Sequence, residues 1–535
     1  MERKVHFKKF LLLNLLLVLC LPEAFAQKTV SGRVTDAETG ETLPGVNILI
    51  LGKTKGTITN NDGSYTINME EDENTLVFSF IGYRPDTITV TTSRRVDVQL
   101  KVEALFIEDI VVVGYGVQRK SDLTGSVVSV KSEELTRIPT SSPMQALEGK
   151  VPGLQVASSS GAPGSGVVVR VRGVGTFNNS NPIYVVDGVI LDNIDYLNTA
   201  DIESMEILKD ASATAIYGSR GANGVIIVTT KKSKLGTDKT TFNLSYENSY
   251  QKLINRIDLL SGREFATVVN VINPGTYNNI DAVPNTNWQD IIFDDGFSAP
   301  IHNIQFSASG ATSKMQYYVG IGYYNQTGII NKSNFERLTV KLNNTYQLNK
   351  WLNIGNNVTI VPFKQQNTNG NVVFVAYRAW PVLEPYQADG SYTALPGTGN
   401  PLADVEYTNS FSNGLKGTGN IFGDATLTKG LVLRSSFGVD LGFNRSKSFS
   451  PTYFVSPQQQ NSENDLYKCE GTQSSWIWEN TLNYNHDFDR HHFDALAGFT
   501  MQDVTSENIG ISGINVIRDA EDFWYINSNN INPNS

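Results

Sequence analysis

Residues 200–232 read ADIESMEILKDASATAIYGSRGANGVIIVTTKK, and this stretch decides the fold class. Met205-Glu206-Ile207-Leu208 has the composition and length of a short strand. Asp210 stands where an N-cap would accept from the amides of a following turn, so a helical turn is expected through Tyr217. Gly218 and Gly221 then break it, because glycine leaves helical geometry at no steric cost. Val225 to Thr229 is a β-branched run with no alternation, the pattern of a strand buried on both faces. Strand, broken turn and buried strand together make an α+β unit.

The residues before it support the same unit. Ser142-Pro143-Met144-Gln145-Ala146-Leu147-Glu148-Gly149 offers an N-cap, a proline at the first helical position and a closing glycine, so a short helix is expected. VVVRVRGVGTFNNSNPIYVVDGVIL, residues 167–191, adds short strands around a polar loop, Thr176-Phe177-Asn178-Asn179-Ser180-Asn181. Nucleotide chemistry fails here on spacing. Gly149-Lys150 lacks the upstream glycine and the following Ser/Thr of a phosphate loop, and Gly161, Gly164 and Gly166 lack the spacing of a dinucleotide turn.

From about residue 240 the period becomes two over longer runs. Phe242, Leu244, Tyr246 and Tyr250 take one face while Asn243, Ser245, Glu247 and Ser249 take the other. The same alternation recurs from Met315 to Tyr323, Leu338 to Leu348, Leu433 to Phe443 and Trp476 to Tyr484. Strands of about ten residues, apolar outward and polar inward with aromatics near their ends, fit a membrane barrel. Connections alternate as well: His486 to His491 is tight, whereas residues 364–418 are long and rich in Asn, Gly and Pro. About nine strands are expected by residue 535.

Residues 28–101 read as a small all-β unit of about seven short strands, with Asn60-Asn61-Asp62-Gly63 before Ser64-Tyr65-Thr66-Ile67 as its clearest turn-then-strand. The chain opens with a basic start (Arg3, Lys4, Lys8, Lys9), an apolar run and Ala24-Phe25-Ala26, the layout of a secretory leader cleaved between Ala26 and Gln27. A lipoprotein start at Cys20 is disfavoured by the bulky Leu19 before it. The leader holds four basic and two acidic side chains, so the net charge of −10 becomes −12 without it. With no basic run left, nucleic acid is excluded as a partner. Cys469 alone remains, which excludes a disulfide framework and thiolate metal sites. None of the five histidines is followed by Glu three residues later, and His486, His491 and His492 read as a polar hairpin, so neither a metal nor any other cofactor is expected. No nucleophile stands beside a base in sequence, and the chain reads as a non-enzyme.

Three segments carry a resemblance. VSGRVTDAETGETLPGVNILI and GTITNNDGSYTI resemble the carboxypeptidase-regulatory-like domain, a transthyretin-like β-sandwich. EDIVVVGYGVQRKSDLTGSVVSV, residues 108–130, resembles the opening of SusC/RagA plugs, with Glu108, Asp109, Ile110, Val111, Val112 and Val113 resembling a TonB box. ADIESMEILKDASATAIYGSRGANGVIIVTTKK, residues 200–232, resembles the plug itself over nearly every position. The resemblance as a whole is to SusC/RagA-type TonB-dependent outer-membrane transporters. It implies a leader at 1–26, the sandwich at 27–101, a linker with the box at 102–120, a plug at 121–232 and the first part of a 22-stranded antiparallel barrel at 233–535.

What the resemblance implies for function follows from it alone. TonB, driven by the inner-membrane proton gradient, would grip the box by strand addition. Sandwich and box would be periplasmic, the barrel would sit in outer-membrane lipid, and a SusD-like surface lipoprotein would help import a glycan or peptide. Thr176, Phe177, Asn178, Asn179 and Asn181 are the ligand-facing candidates on the plug. A siderophore or signal-transducing receptor is the alternative on the same fold, and a secreted all-β adhesin is the alternative of another class.

Overall fold

A computed structural model describes residues 28–532, apart from 38, 54, 71–73, 81–82, 84, 91–93, 102–109, 114–115, 120–126, 234–238, 295 and 489–490. The leader and its Ala26–Gln27 junction, together with Glu108 and Asp109, lie outside the described residues. The chain divides into two compact units, residues 1–109 and 110–535.

Among the described residues the first unit has seven strands: β1 (Lys28–Asp36), β2 (Asn47–Ile50), β3 (Gly56–Ile58), β4 (Ser64–Met69), β5 (Thr75–Ser79), β6 (Asp86–Thr89) and β7 (Val98–Leu100). They form two sheets, ordered β4-β1-β7 and β3-β2-β5-β6. Alternation explains the pairing of faces: Val30 and Val34 of β1, Ile48 of β2 and Phe78 of β5 all point into one core and are fully buried. Asp62 makes the expected turn by accepting from both the amide (3.1 Å) and the hydroxyl (2.7 Å) of Ser64.

The second unit opens with a hairpin of β8 (Ile110–Val113) and β9 (Gly116–Arg119), registered Val112 to Val117. Seven more strands follow: β10 (Val127–Lys131), β11 (Leu154–Ser158), β12 (Val167–Val171), β13 (Ile183–Val186), β14 (Val189–Leu191), β15 (Ile202–Leu208) and β16 (Val225–Thr230). Five of them make a mixed sheet, β10-β15-β16-β13-β14, and β11 with β12 makes a hairpin. Val225 to Val228 is buried throughout, as a strand covered on both faces must be.

Two local expectations are met only in part. The helix at Ser142–Gly149 is one 3₁₀ turn, Gln145–Leu147, because Ser142 caps only the Met144 amide (3.1 Å) before Gly149 turns left-handed (φ 71°). Helical structure does run from Ala211–Thr214 into a 3₁₀ segment through Tyr217, kinked at Gly218 as expected, but the Asp210 carboxylate pairs with Arg172 instead of capping it.

A nine-stranded antiparallel sheet completes the unit. In order it comprises β17 (Thr241–Gln251), β18 (Gly296–Ala311), β19 (Met315–Thr327), β20 (Asn334–Asn349), β21 (Leu352–Asn367), β22 (Asn409–Thr428), β23 (Leu431–Ser450), β26 (Asp465–Phe488) and β27 (His491–Ile514). A short hairpin, β24 (Tyr453–Ser456) with β25 (Gln459–Asn461), interrupts it in a loop. Most strands are longer than the ten residues expected, up to 24 in β26 and β27. About ten residues suffice to cross hydrocarbon, and hydrogen-bonded pairing carries the ladder beyond that band in polar residues. The loop expected at 364–418 is accordingly shorter, 368–408, and holds helices at Val372–Arg378 and Pro401–Tyr407.

The faces of this sheet are inverted relative to a soluble protein. Phe242, Leu244, Phe437, Leu441 and Trp478 are exposed outward, while Arg337, Thr339, Lys341, Asn343, Asn420 and Glu479 are buried. Polar inside and apolar outside is the arrangement that hydrocarbon selects. Connections at one end are residues 312–314, 350–351 and 429–430, and at the other 252–295, 328–333, 368–408 and 451–464. The β10–β16 unit packs on the polar face as a plug, with Ile477 of β26 joining its core.

Candidate functional site

The surface between plug and wall is built from two buried carboxylates. Asp187 and Gly188 connect β13 to β14 with φ of 49° and 93°, the pair of positive values that a two-residue hairpin turn requires and that an Asp-Gly sequence supplies. The turn carries Asp187 to the wall, where Lys341 of β20 stands 3.2 Å from its Oδ2. Both side chains are almost wholly buried, 3% and 4% exposed. The Thr230 amide (3.0 Å) and hydroxyl (2.6 Å) donate to the same carboxylate. Asn420 of β22 donates to the Asp187 carbonyl at 2.8 Å, and Asn343 donates to the Thr230 hydroxyl (2.8 Å) and the Lys231 carbonyl (2.9 Å). Burial opposes the charge on Asp187, but Lys341, Lys232 and the Thr230 hydrogen bonds outweigh it and hold its pKa below the usual carboxylate range.

Asp201 is the second centre. Tyr318 of β19 donates to its Oδ1 at 2.7 Å and Gln305 of β18 at 3.1 Å. Gln305 in turn accepts from Asn198 of the plug. Gly320 makes this approach possible, since a Cβ there would lie 2.4 Å from Asp201 Oδ1. Oδ2 has no hydrogen-bond partner among the described residues. Burial pushes the Asp201 carboxyl above the usual range, with the Tyr318 hydrogen bond acting against it. Beyond these centres, Arg337 donates to the Ser141 (2.7 Å) and Asp195 (2.9 Å) carbonyls, and Lys416 pairs with Asp440 at 2.8 Å.

Comparison with known proteins places this geometry. Residues 30–112 match the CarboxypepD_reg-like domain and residues 119–225 the TonB-dependent Receptor Plug Domain. TonB-dependent receptor P3 of Formosa agariphila is 37% identical over 523 residues, 94% of this chain and 50% of that protein. TonB-dependent receptor SusC of Bacteroides thetaiotaomicron is 35% identical over 438 residues, 75% of this chain and 43% of that protein. Among solved structures, the RagAB peptide importer in its open-open state aligns with a TM-score of 0.66 at 28% identity, over 76% of this chain and 50% of that one. The chain belongs to the SusC/RagA-type TonB-dependent receptors. It spans about half the length of the curated relatives it matches. Those relatives are receptors and transporters, which agrees with reading the chain as a non-enzyme.

In this receptor Ile110 to Val113 is strand β8, already paired along one edge with β9. No strand pairs with its other edge among the described residues. Among the described residues, the loop at 176–181 makes no hydrogen bond to Asp187 or Asp201. Phe177, Asn178, Asn179 and Asn181 are exposed there, with Thr176 half-buried. The loop is tied inward: Asn181 accepts from Arg170, and Asn223 donates to the Asn179 carbonyl at 2.9 Å.

Asp187, Asp201, Lys341 and Tyr318 are the residues that sequence reasoning did not single out. The Asp-Gly turn and the inward alternation of β20 are the signals that point to Asp187 and Lys341.

Asp201 gives a direct test of the second centre. Its raised pKa means the folded receptor holds the proton more tightly, so its contribution to stability is fullest in acid and falls as pH rises past the ordinary carboxylate range. Asp201→Asn keeps the acceptor for Tyr318 and Gln305 and removes the charge. We expect it to melt no lower than the parent at neutral pH, gaining about 1 kcal/mol, with the gain vanishing near pH 4. Thermal melts across that range check it, and a large loss at neutral pH would contradict it.

Proposed function

We propose that this receptor imports a nutrient, a glycan or a peptide, across the outer membrane with energy delivered by TonB. The observation that carries the reading is the chemistry of the plug surface. The plug meets the wall through a buried ion pair, Asp187 with Lys341, and a set of buried hydrogen bonds around Asp201, Arg337 and Asn420. Such an interface seals the lumen, and its net stability is small relative to its contact area because desolvation offsets pairing. A plug held in this way blocks diffusion yet can be displaced by modest work. The outer membrane has no nucleotide pool, so the work comes from the inner-membrane proton gradient through TonB.

On this reading Ala26–Gln27 is the leader junction, residues 27–101 and the box face the periplasm, and the long connections face outward. Glu108, Asp109 and Ile110 to Val113 are what TonB grips. A SusD-like lipoprotein caps the outward side, by analogy with the SusC and RagAB relatives.

A cross-link tests whether the plug must move. A Cβ at Gly438 of β23 would lie 3.0 Å from Val189 Cγ2 of β14, close enough for a disulfide between cysteines at the two positions. In a Cys469→Ser background, oxidised Val189→Cys/Gly438→Cys receptor should take up ligand several-fold more slowly, and a reductant should restore the rate. Undiminished uptake by the oxidised form would overturn the proposal.

A further inference from the structure

The plug and the wall together line an open cavity of about 490 Å³ that the two carboxylate centres do not use. It lies toward the long-loop end of the wall. The connection between β11 and β12, which lines it, reaches that end: Gln365 donates to the Pro163 carbonyl at 2.8 Å, and Gly164 packs against Phe335. The volume is that of a small-molecule site. Among the described residues, none that line it carries a charged side chain. Gln145, Ser158, Ser160 and Ser165 come from the plug, Tyr324 and Gln326 from the wall.

These groups are held in place by one another. Gln145 donates to the Ser158 hydroxyl (3.3 Å), Ser165 to the Ser160 carbonyl (2.8 Å), and Tyr324 to Gln326 (3.2 Å). Each serine or tyrosine hydroxyl keeps acceptor capacity after donating, and each amide offers both roles. The surface therefore gives and takes hydrogen bonds at close spacing without offering charge. Arg337, stacked on the Tyr324 ring, is buried: its Nη1 donates to the Ser141 and Asp195 carbonyls, and its Nε is buried as well, out of reach of a ligand. A carboxylate, a ferric chelate or a peptide terminus would lose hydration here and find no counter-ion.

We propose that this cavity is a subsite for an uncharged oligosaccharide. Sugar hydroxyls alternate donor and acceptor at the density this lining matches. The assignment rests on the import reading above and selects glycan over peptide within it.

Equilibrium titration calorimetry on the detergent-purified receptor tests it without any energy source. The probes are neutral hexasaccharides (α-glucan, β-glucan and β-xylan), an oligogalacturonate of equal length, and an uncapped mixed decapeptide. At least one neutral hexasaccharide should bind, and the charged probes should not compete. Gln145→Ala should weaken that binding about tenfold, the loss of one or two net hydrogen bonds. Ala162→Phe, which fills the cavity from an exposed position, should weaken it further, and melts should show both variants folded as the parent. Binding of the decapeptide or the oligogalacturonate alone, no binding of any neutral probe, or unchanged affinity in both variants would overturn the assignment. Uptake that ignores the proton gradient while neutral sugar still binds would instead overturn the import reading and leave this one standing.

Discussion

Lys341→Met is expected to loosen the plug from the wall by about 3–5 kcal/mol, the usual cost of removing one member of a buried ion pair. Methionine keeps most of the lysine stem's volume, so the loss is electrostatic. Asp187 is left buried against Thr230 without the cation that most favours its charge. The pH dependence has a definite sign. Asp187's pKa is depressed in the folded receptor, so its stabilisation is present above the ordinary carboxylate range and is lost as pH falls through the folded value. The deficit of Lys341→Met should therefore be largest at neutral pH and shrink in acid, where Asp187 protonates. Asp187→Asn/Lys341→Met removes both charges and should recover most of the loss. Thermal unfolding measures the first effect. Entry of an antibiotic too large for intact outer membrane measures the second, a leak through a loosened plug. A single variant as stable and as tight as the parent would show that the pair carries no weight.

That pair also marks where sequence reading stops. Alternation in Leu338 to Leu348 already tells that Lys341 faces inward, because side chains change face every residue. The Asp-Gly turn tells that residue 187 sits at a hairpin tip. What the sequence does not carry is the register between segments 154 positions apart, which decides that these two meet. Gly320 is similar. In sequence it is a glycine in a strand, and only packing reveals that Asp201 occupies the space where its Cβ would be.

Fold class was legible because period-two patterning and turn chemistry are local. The seven short strands of the first unit, the buried β16 and the apolar-outward wall all follow from them. The misjudged pieces are those in which tertiary partners compete with local preference. Asp210 reads as a cap yet pairs with distant Arg172, and Ser142 caps only the Met144 amide while its hydroxyl donates to Asp195. Strand lengths fell short because apolar alternation marks only the hydrocarbon band, whereas hydrogen-bonded pairing continues above it. The cavity beside Tyr324 was invisible because its serines and glutamines lie in separate segments and read as ordinary loop residues.

The most direct test of the account is energised uptake in two variants at one position. β8 and β9 are separated by two residues, with Val113 opposite Gly116, so that pair closes the hairpin with its hydrogen bonds. Antiparallel alternation then turns the Val112 N–H away from β9 and toward the open edge. Proline at 112 removes that donor and fixes φ while sparing the hairpin's own bonds, and an added strand tolerates this poorly. Alanine keeps the donor and gives up under about 1 kcal/mol of strand preference. If TonB grips β8 by strand addition, Val112→Pro abolishes energised uptake while surface binding and thermal stability stay at parental levels, and Val112→Ala is nearly silent. Full uptake by the proline variant would contradict the account, and so would a fall in its stability and binding together, the mark of a strand needed only for the plug's own packing.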